Sequence, residues 1–291
     1  MDQVERREFV YFVAVAEELH FGHAAARLGI AQPPLSRAIK QLEQRIGVSL
    51  LRRTSRSVAL TPAGQVLLHE ARKALDAMEA AIRRSQRAGR EDLFLPVVMK
   101  PGGDGGLLPE ILIEYESDPA AIPVEVLVCG LGEQAAWLRD GRAEVGFVLR
   151  PYDDLGGFDT EVLVKQRQVA VLPRGHRLAG RATIAFNELR HEPLPRWPGM
   201  DADSASGPEV RDSAQLIQLI ALGRAVAVLP ESMLSGLGQD LVGVPVPDAP
   251  PTSVMIAWPE RSHSLAVAAF VRAASTVAAR HYSPVAIGVP A

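Results

Sequence analysis

The segment from Phe21 to Ile46 constrains the fold of this chain more than any other, because it carries two adjoining helical patterns. Its apolar spacing predicts a first short helix that Gly29 ends. A second helix is predicted to begin at Pro33-Pro34, since proline is tolerated in the first turn of a helix. One face of this second helix is apolar and comprises Leu35, Ile39, Leu42 and Ile46.

The opposite face of the second helix carries hydrogen-bond donors and cations: Gln32, Ser36, Arg37, Lys40 and Gln44. A helix that packs through one face and presents such groups on the other has the pattern of a DNA recognition helix. Arg and Lys can contact guanine edges or phosphates, and Gln and Ser can pair with base edges or the backbone. The same spacing also fits an ordinary amphipathic helix with a solvated charged face, so the neighbouring segments must decide between the two.

Two further elements complete the predicted DNA-binding module. A helix that supports the pair is predicted from the repeat of Phe9, Phe12, Val13 and Ala16. The apolar stretches 48–51 and 58–60 are predicted to be short strands around a basic, hydroxyl-rich tip. Such a hairpin is typical of a wing that contacts phosphates or the minor groove, and a solvated hairpin is the alternative. The predicted DNA contacts are Gln32, Pro33, Pro34, Ser36, Arg37, Lys40, Arg52, Arg53, Thr54 and Arg56.

These residues also carry a family resemblance. The sequence AAARLGIAQPPLSRAIKQLEQRIGVSLLRRTSRSVALTPAG closely resembles the amino-terminal domain of LysR-type transcriptional regulators, and the resemblance is close over residues 4 to 64. Within the family it resembles the group that senses small, often aromatic or acidic, metabolites. The resemblance implies a winged helix-turn-helix head that binds operator DNA. The chain departs from the family pattern at Leu51, where relatives usually carry Phe.

A long helix is predicted to follow over residues 61–88, with Thr61 as its cap and Pro62 in its first position. Apolar residues repeat along it at steps of three and four, as in the seam of a dimeric coiled coil: Leu68, Ala71, Leu75, Met78 and Ile82. In the resembled family this helix links two subunits, and pairs of dimers commonly form tetramers. We therefore expect a DNA-binding domain at 1–60, a dimerisation helix at 61–88, a hinge at 89–92 and an effector-binding domain at 93–291.

The distribution of charge supports a basic head on an acidic body. Residues 1–90 contain 15 Lys and Arg against 9 Asp and Glu, whereas the remaining residues contain 16 against 25. This asymmetry suits a polyanion-binding module joined to a body that stays off the polyanion. The single cysteine, Cys129, fits a reducing cytosol. The start of the chain leads into an amphipathic helix, and no stretch approaches the ~20 apolar residues of a membrane span. We expect a cytoplasmic protein without a membrane partner.

Beyond Leu93, short apolar strands alternate with amphipathic helices, which predicts βαβ units on a parallel sheet. We expect two lobes, the first formed by 93–164 and 259–291 and the second by 165–258, and Val254 to Trp258 could return the chain to the first lobe. Such lobes resemble the effector domain of LysR-type regulators, which is similar to periplasmic solute-binding proteins. The predicted fold class is therefore mixed: an α-helical winged helix-turn-helix head, a long linker helix and a two-lobed α/β effector domain.

Open α/β lobes bind ligands at the carboxyl ends of their strands, so a cleft there is the predicted effector site. The predicted effector contacts are Lys100, Gly102, Gly103, Asp104, Cys129, Leu131, Arg150, Arg196 and Trp197. In relatives a hydroxyl residue commonly binds the effector from each of the first two loops, but Gly102 and Leu131 stand at those positions here. The segment between Trp197 and Val210 is also short compared with relatives. The site is therefore expected to be reshaped, smaller or not used for a carboxylate.

Cations could replace the missing partners in the cleft. Lys100, Arg150 and Arg196 are candidates, and surface cations or inter-lobe ion pairs are the equally weighted alternative. The expected partners are a double-stranded DNA operator, a second copy of the chain in a homodimer or homotetramer, and a small-molecule effector. An anionic or aromatic metabolite is one candidate for that effector, and RNA polymerase is a further candidate partner.

Other functional classes find less support. His20 and His23 lack Cys or acidic partners, so no metal site is expected, and the glycine-rich loop 102–106 fits neither phosphate-binding pattern, so no cofactor is expected. An enzyme would have no recognisable nucleophile or base. A periplasmic solute carrier is disfavoured by the basic head and by the absence of an export signal. An architectural or constitutive DNA-binding regulator with a vestigial effector cleft stays open as the alternative.

Overall fold

A computed structural model describes residues 4–54, 57–90, 93–197 and 206–281. The chain divides into two compact units, one formed by the chain up to Gly89 with residues 139–141 and the other by the remainder. The division falls within the predicted hinge, of which residues 91 and 92 lie outside the described ranges. Within these ranges, no helix combines the length and the apolar character that a bilayer span requires.

The first unit is a helical module with a small hairpin and a long helix. Its elements are α1 (Arg6–Glu18), α2 (Phe21–Leu28), α3 (Gln32–Ile46), β1 (Leu51–Arg53), β2 (Val58–Leu60) and α4 (Pro62–Ala88). The predicted break between the helix pair is confirmed, because Gly29 caps α2 with a left-handed backbone (φ 67°) that favours glycine. Pro33 and Pro34 lie in the first turn of α3, as predicted.

The core of this unit forms where α3 packs on α1. Leu35, Ile39 and Leu42 are fully buried in one cluster with Phe12 and Val15 of α1. The prediction was wrong for Ile46, which is 37% exposed. Every residue from 44 to 49 is exposed, so the last turn of α3 extends beyond the helices on which it packs.

The hairpin differs from the predicted one in its first strand. Strand β1 begins at Leu51 rather than at residue 48, and it pairs antiparallel with β2 so that Arg53 lies opposite Val58. The Leu50 amide, just before the strand, and the Leu51 amide, at its first residue, donate to the Glu43 carboxylate at 2.9 and 3.1 Å. Arg56, a predicted DNA contact at the tip, lies outside the described residues.

The long helix α4 begins at Pro62, as predicted, and hydrogen bonds connect it to α1. The Thr61 hydroxyl caps it by accepting a hydrogen bond from the Gly64 amide at 3.0 Å. The Glu17 carboxylate of α1 accepts hydrogen bonds from Arg72 of α4 at 2.6 Å and from Arg27 of α2 at 2.7 Å. Burial raises the pKa of Glu17, but the hydrogen bonds from Arg72 and Arg27 outweigh it and leave the pKa below its ordinary value.

The second unit contains two sheets with helices packed against them. Its elements are β3 (Leu95–Met99), α5 (Leu108–Glu116), β4 (Val124–Val128), α6 (Gln134–Arg139), β5 (Val145–Arg150), β6 (Phe158–Gln166), β7 (Gln168–Pro173), α7 (Ser213–Ala221), β8 (Ala227–Pro230), β9 (Leu241–Pro245), β10 (Thr252–Pro259) and α8 (Leu265–His281). The strand order is β4-β3-β5-β10-β6 in one sheet and β8-β7-β9 in the other. Short 3-10 turns lie at Phe186–His191 and Glu231–Gly236.

The predicted parallel arrangement holds for only part of this unit. Strand β3 pairs in parallel with β4 and β5, whereas β10 runs antiparallel between β5 and β6. The three-stranded sheet is antiparallel throughout, so the prediction of parallel βαβ units was wrong there. The described residues between Pro173 and Ala227 contain a 3-10 turn as well as α7, so this connection differs from the single crossover helix of a βαβ unit.

The boundary between the lobes also differs from the predicted one. Strand β10 (Thr252–Pro259) pairs with β5 and β6 of the five-stranded sheet, so the second lobe does not extend to 258, and the predicted return of Val254 to Trp258 to the first lobe is confirmed. Helix α8 covers this sheet, and its Phe270 ring lies 5.3 Å from the ring of Tyr115 in an edge-on contact.

Replacing Gly64 by Ala should destabilise the first unit. Gly64 is buried in the first turn of α4, and a Cβ atom there would collide with the Leu50 carbonyl oxygen. Overpacking of this kind typically costs about 1–3 kcal/mol, which chemical denaturation of the full chain can measure.

Gly89→Ala is the matched control, because a Cβ atom there would meet nothing closer than the Ser85 carbonyl oxygen at 3.7 Å. Its free energy of unfolding should stay close to that of the wild-type chain. Equal stability of the Gly64→Ala variant and the wild type would contradict the close packing of α4 against the segment before β1.

Candidate functional site

The outer face of α3 is polar and open to solvent. Five of the predicted contacts on α3 are exposed and Ser36 is half-buried, the exposed ones being Gln32, Pro33, Pro34, Arg37 and Lys40. In the described part of the chain, neither Arg37 nor Lys40 forms an ion pair. These two cations are therefore available to phosphates or base edges, as the sequence predicts.

The two arginines of β1 differ in their surroundings. Arg52 is exposed, and the structure assigns it no partner among the described residues. Arg53 donates from Nη2 to Glu43 Oε2 at 3.1 Å, and its guanidinium lies 4.7 Å from the centroid of the Phe21 ring. The alternation of side chains along a strand places the two guanidinium groups on opposite faces of the hairpin. Thr54 closes the hairpin by accepting a hydrogen bond from the Ser57 amide at 3.0 Å.

Three residues of the head that had no predicted role have one in the structure. The Glu43 carboxylate accepts hydrogen bonds from the Leu50 and Leu51 amides and from the Arg53 side chain. Glu8 is only 7% exposed and accepts a hydrogen bond from Arg45 at 3.0 Å. His20 caps α2, since its Nδ1 accepts from the Gly22 and His23 amides. A carboxylate beside the apolar stripe of a basic helix was the available signal for Glu43. The structure shows no group of His, Cys, Asp or Glu suited to a metal ion within the described residues.

A cavity of about 290 Å³ lies between the two lobes of the second unit. Its first wall consists of residues at the carboxyl ends of β3, β4 and β5, namely Lys100, Cys129 and Leu149. Its second wall comes from the other lobe and includes Leu216 and Ile217 of α7 and Met233 of the second 3-10 turn. The lining is mainly apolar, so the cavity suits a small ligand with an apolar body.

The structure brings together five of the nine predicted effector contacts. Lys100, Gly102, Cys129, Leu131 and Trp197 line the cavity. Gly103, Asp104, Arg150 and Arg196 are not among the described residues that line it, so their prediction as effector contacts is not supported.

Each of these four residues has another place in the fold. The Asp104 carboxylate accepts a hydrogen bond from the Leu108 amide at 3.2 Å, at the start of α5. Gly103 closes a tight turn through its amide and the Lys100 carbonyl at 2.9 Å. Arg150 is exposed at the end of β5. Arg196 donates from Nε to the Gly207 carbonyl at 3.1 Å.

Lys100 is the cation of the cavity wall. In the described part of the chain, no carboxylate lies within ion-pairing distance of its ammonium group. Burial lowers the pKa of Lys100, and the more distant charge of Asp153 opposes this shift in part. The pKa of Asp153 is raised by its own burial, although it accepts a hydrogen bond from the Leu149 amide at 2.7 Å. An anionic ligand in the cavity would therefore form an ion pair with an ammonium group that has no carboxylate partner among the described residues.

Cys129 behaves as a packing residue in this wall. It is buried and its thiol points to the Met99 carbonyl oxygen at 3.6 Å. Burial, with the nearby charges of Glu133 and Asp153, raises its pKa to about 11. The thiol is therefore protonated at neutral pH, which does not favour nucleophilic or oxidant-sensing chemistry.

Among the described residues of the second wall of the cavity, the sequence predicted Trp197 alone. Met233 belongs to a 3-10 turn without periodicity, and its sulfur lies 2.5 Å from where a Cβ atom on Gly102 would stand. A thioether therefore occupies the space that a side chain at position 102 would fill. Gln166, 4% exposed, also lines the cavity and accepts a hydrogen bond from the Ser232 hydroxyl at 2.9 Å. Gln166 is the last residue of β6 and Met233 follows β8, and both strands pair antiparallel, so the rule for ligands at the ends of parallel strands did not include them.

Comparison with known proteins agrees with this geometry. Residues 6–65 match a family model described as bacterial regulatory helix-turn-helix protein, lysR family, and residues 97–279 match the LysR substrate binding domain. The chain is 37% identical over 206 residues to the transcriptional regulator AlsR of Bacillus subtilis (strain 168), covering 69% of this chain and 68% of AlsR. It is 32% identical over 279 residues to the uncharacterized regulator YnfL of Escherichia coli (strain K12), covering 88% of this chain and 93% of YnfL.

Solved structures show the same architecture. Full-length BenM matches with a TM-score of 0.55 and 26% identity, covering 96% of this chain and 98% of that one. Full-length CbnR in complex with its target DNA matches with a TM-score of 0.52 and 25% identity, covering 94% and 100%. The predicted winged helix-turn-helix head and α/β effector domain are confirmed. The chain therefore belongs to the LysR family and is a DNA-binding transcriptional regulator with a substrate-binding domain.

Proposed function

We propose that this regulator binds a partly palindromic operator as a dimer or tetramer, and that a small molecule in the inter-lobe cavity controls it. The observation that carries this proposal is the pairing, in one LysR-family chain, of exposed cations on the outer face of α3 with a partly enclosed cavity that Lys100 lines. The presence of this cavity disfavours an architectural regulator with a vestigial cleft. An effector can act only through its different affinities for two arrangements of the protein.

The proposed DNA contacts are those of the exposed face of α3 and of the wing. Arg37 and Lys40 would reach base edges or phosphates from the major groove, and Arg52 would meet the backbone from the wing. A single α3 reads few base pairs, so two heads on a two-fold operator would supply affinity and spacing specificity. Action on an operator would place the protein with the chromosome in the cytoplasm. Contact with RNA polymerase is a further proposed interaction that rests on family membership alone.

Arg37→Ala should lower affinity for operator DNA and relax specificity at one base position, by about 1–3 kcal/mol for each hydrogen-bonded base that the substitution leaves unread. Operators would be selected from a randomised duplex library with the wild-type chain, and the variant would be tested against single-base changes in them. Arg84→Ala is the control, because Arg84 is an exposed arginine on α4, away from α3 and the wing. A uniform loss of affinity over all sequences would mean that Arg37 binds phosphate and not a base.

The proposed dimer surface is the carboxyl-terminal half of the predicted seam on α4. Ala71 is fully buried and Leu68 packs in the core of the head, so these two residues serve their own chain. Met78 and Ile82 are 42% and 53% exposed on the same stripe. These exposed apolar side chains remain for a second copy, with Leu75 half-buried between the two groups.

Ile82→Lys should weaken the dimer by about tenfold or more, because burying an isoleucine at an interface is worth about 1.5–3 kcal/mol. Sedimentation equilibrium of the full chain over a range of concentrations would measure the dissociation constant. Val66→Lys is the matched control, since Val66 is 65% exposed on the other side of α4. Equal dissociation of both variants, or of neither, would contradict this choice of surface.

The proposed effector is a small molecule with an apolar body and one anionic group, which would pair with Lys100. The cavity volume of about 290 Å³, its apolar walls and the Lys100 ammonium group, which has no ion-pair partner among the described residues, support this class. A thermal-shift screen would compare small aliphatic and aromatic monocarboxylates with their neutral amides. A ligand specific to the native state must raise the unfolding midpoint.

Lys100→Met should reduce affinity for any acid found in this screen by about tenfold to a hundredfold, since a hydrogen bond to a charged group is worth about 1.5–3 kcal/mol. Isothermal titration would measure the loss. Arg150→Met is the control, because Arg150 is exposed and does not line the cavity. Binding of acids and amides with equal strength would show that Lys100 is not an anion partner.

A further inference from the structure

Glu43 connects the recognition helix α3 to the wing of the DNA-binding head. It lies in the last turns of α3, and its side chain is 17% exposed. Its Oε1 atom accepts hydrogen bonds from the Leu50 and Leu51 amides at 2.9 and 3.1 Å, so it fixes the start of the wing. Its Oε2 atom accepts one from Nη2 of Arg53 at 3.1 Å. One carboxylate therefore satisfies three donors of the wing and ties them to the recognition helix.

The Arg53 guanidinium is oriented from two sides. Glu43 holds one of its nitrogens, and the Phe21 ring of α2 packs against it at 4.7 Å. A guanidinium carries five N–H donors in a rigid plane, so fixing one edge determines where the others point. The Arg53 side chain is 32% exposed, which leaves the outer edge of the group open to solvent.

We infer that Glu43 is a positioning residue for DNA binding, which sets the separation of the wing from α3 and aims the open edge of Arg53 at a phosphate. A head that places a helix in the major groove and a hairpin on the adjacent backbone must hold both at one distance. The carboxylate that bridges them fixes this distance before DNA arrives. Binding then does not have to order the wing, which preserves affinity.

A purely stabilising role for Glu43 makes a different prediction. If the carboxylate served only the folding of the head, its removal would reduce the fraction of folded protein and would lower affinity equally at all salt concentrations. If it positions the wing, its removal takes phosphates out of reach of the wing. The dependence of affinity on salt would then become shallower, because each phosphate that the protein neutralises releases condensed counterions.

The test measures binding of the full-length variants to a random-sequence duplex over a series of salt concentrations. Glu43→Ala should lower affinity at low salt by about tenfold and should reduce the magnitude of the salt slope by about one for each bound head. Glu43→Gln keeps a carbonyl oxygen for the two backbone amides, so it should restore most of the affinity and part of the slope. Thermal melts of each variant would give the folded fraction.

Glu70→Ala is the matched control for charge. Glu70 is an exposed carboxylate of the same unit, and its ion-pair partners among the described residues are neighbours on α4, Lys73 at 3.3 Å and His69 at 3.7 Å. Its removal makes the same change in net charge, and the salt slope should stay at the wild-type value. A slope that falls by the same amount in both variants would overturn the inference.

A double-mutant cycle with Arg53→Ala separates the two parts of the inference. Because Glu43 acts through Arg53 and the wing, Glu43→Ala should change the slope much less in the Arg53→Ala background than in the wild type. Additive effects, or a wild-type slope in Glu43→Ala whose affinity loss equals its unfolded fraction, would refute the positioning role. Absence of DNA binding by the wild-type chain would instead contradict the regulator assignment itself.

Discussion

The burial of one stripe of α3 against α1 is the packing contact on which the DNA-binding surface depends. Leu35, Ile39 and Leu42 are excluded from water by Phe12 and Val15. Burying a side chain of this size is worth about 1.5–3 kcal/mol, so rotation of α3 about its axis would be costly. The helix has only one low-energy orientation, and that orientation turns its donors and cations to solvent. The apolar inner face of α3 therefore determines which donors and cations its outer face presents to solvent.

Ion pairs within the head determine how its positive charge is distributed over its surface. Glu8, Glu17 and Glu43 each accept hydrogen bonds from arginines within the same unit. These ion pairs neutralise part of the positive charge of the head and connect α1, α2, α4 and the wing. The cations of the outer face, such as Arg37 and Lys40, carry no such partner in the described part of the chain. A net charge calculated from composition therefore understates how strongly that face attracts phosphate, since the compensating carboxylates lie elsewhere.

The sequence predicted the head better than the body because the head is specified by local patterns. Helical spacing, Gly29 and the proline pair define α2 and α3 without reference to distant residues. The direction of β8 depends on its pairing with a strand far away in the chain, on which periodicity carries no information. The prediction of the cavity walls met the same limit. Lys100 and Cys129 follow β3 and β4 and were found, whereas Met233 follows the antiparallel strand β8 and Gln166 is the last residue of β6, so the rule for parallel strands did not include them.

The buried charge of Lys100 also gives a physical route by which a ligand in the cavity could control the whole protein. The Lys100 ammonium group is removed from water without a carboxylate of the described residues within ion-pairing distance, and this burial lowers its pKa. A bound anion would supply the missing partner and raise that pKa toward its ordinary value. The other wall of the cavity, with Leu216 and Ile217, comes from the second lobe, so the apolar body of the same ligand would contact both lobes at once. A ligand that gains its charge pairing from one lobe and its apolar burial from the other binds best when the lobes are closed upon it. That difference in affinity between closed and open lobes is the quantity that thermodynamic control requires.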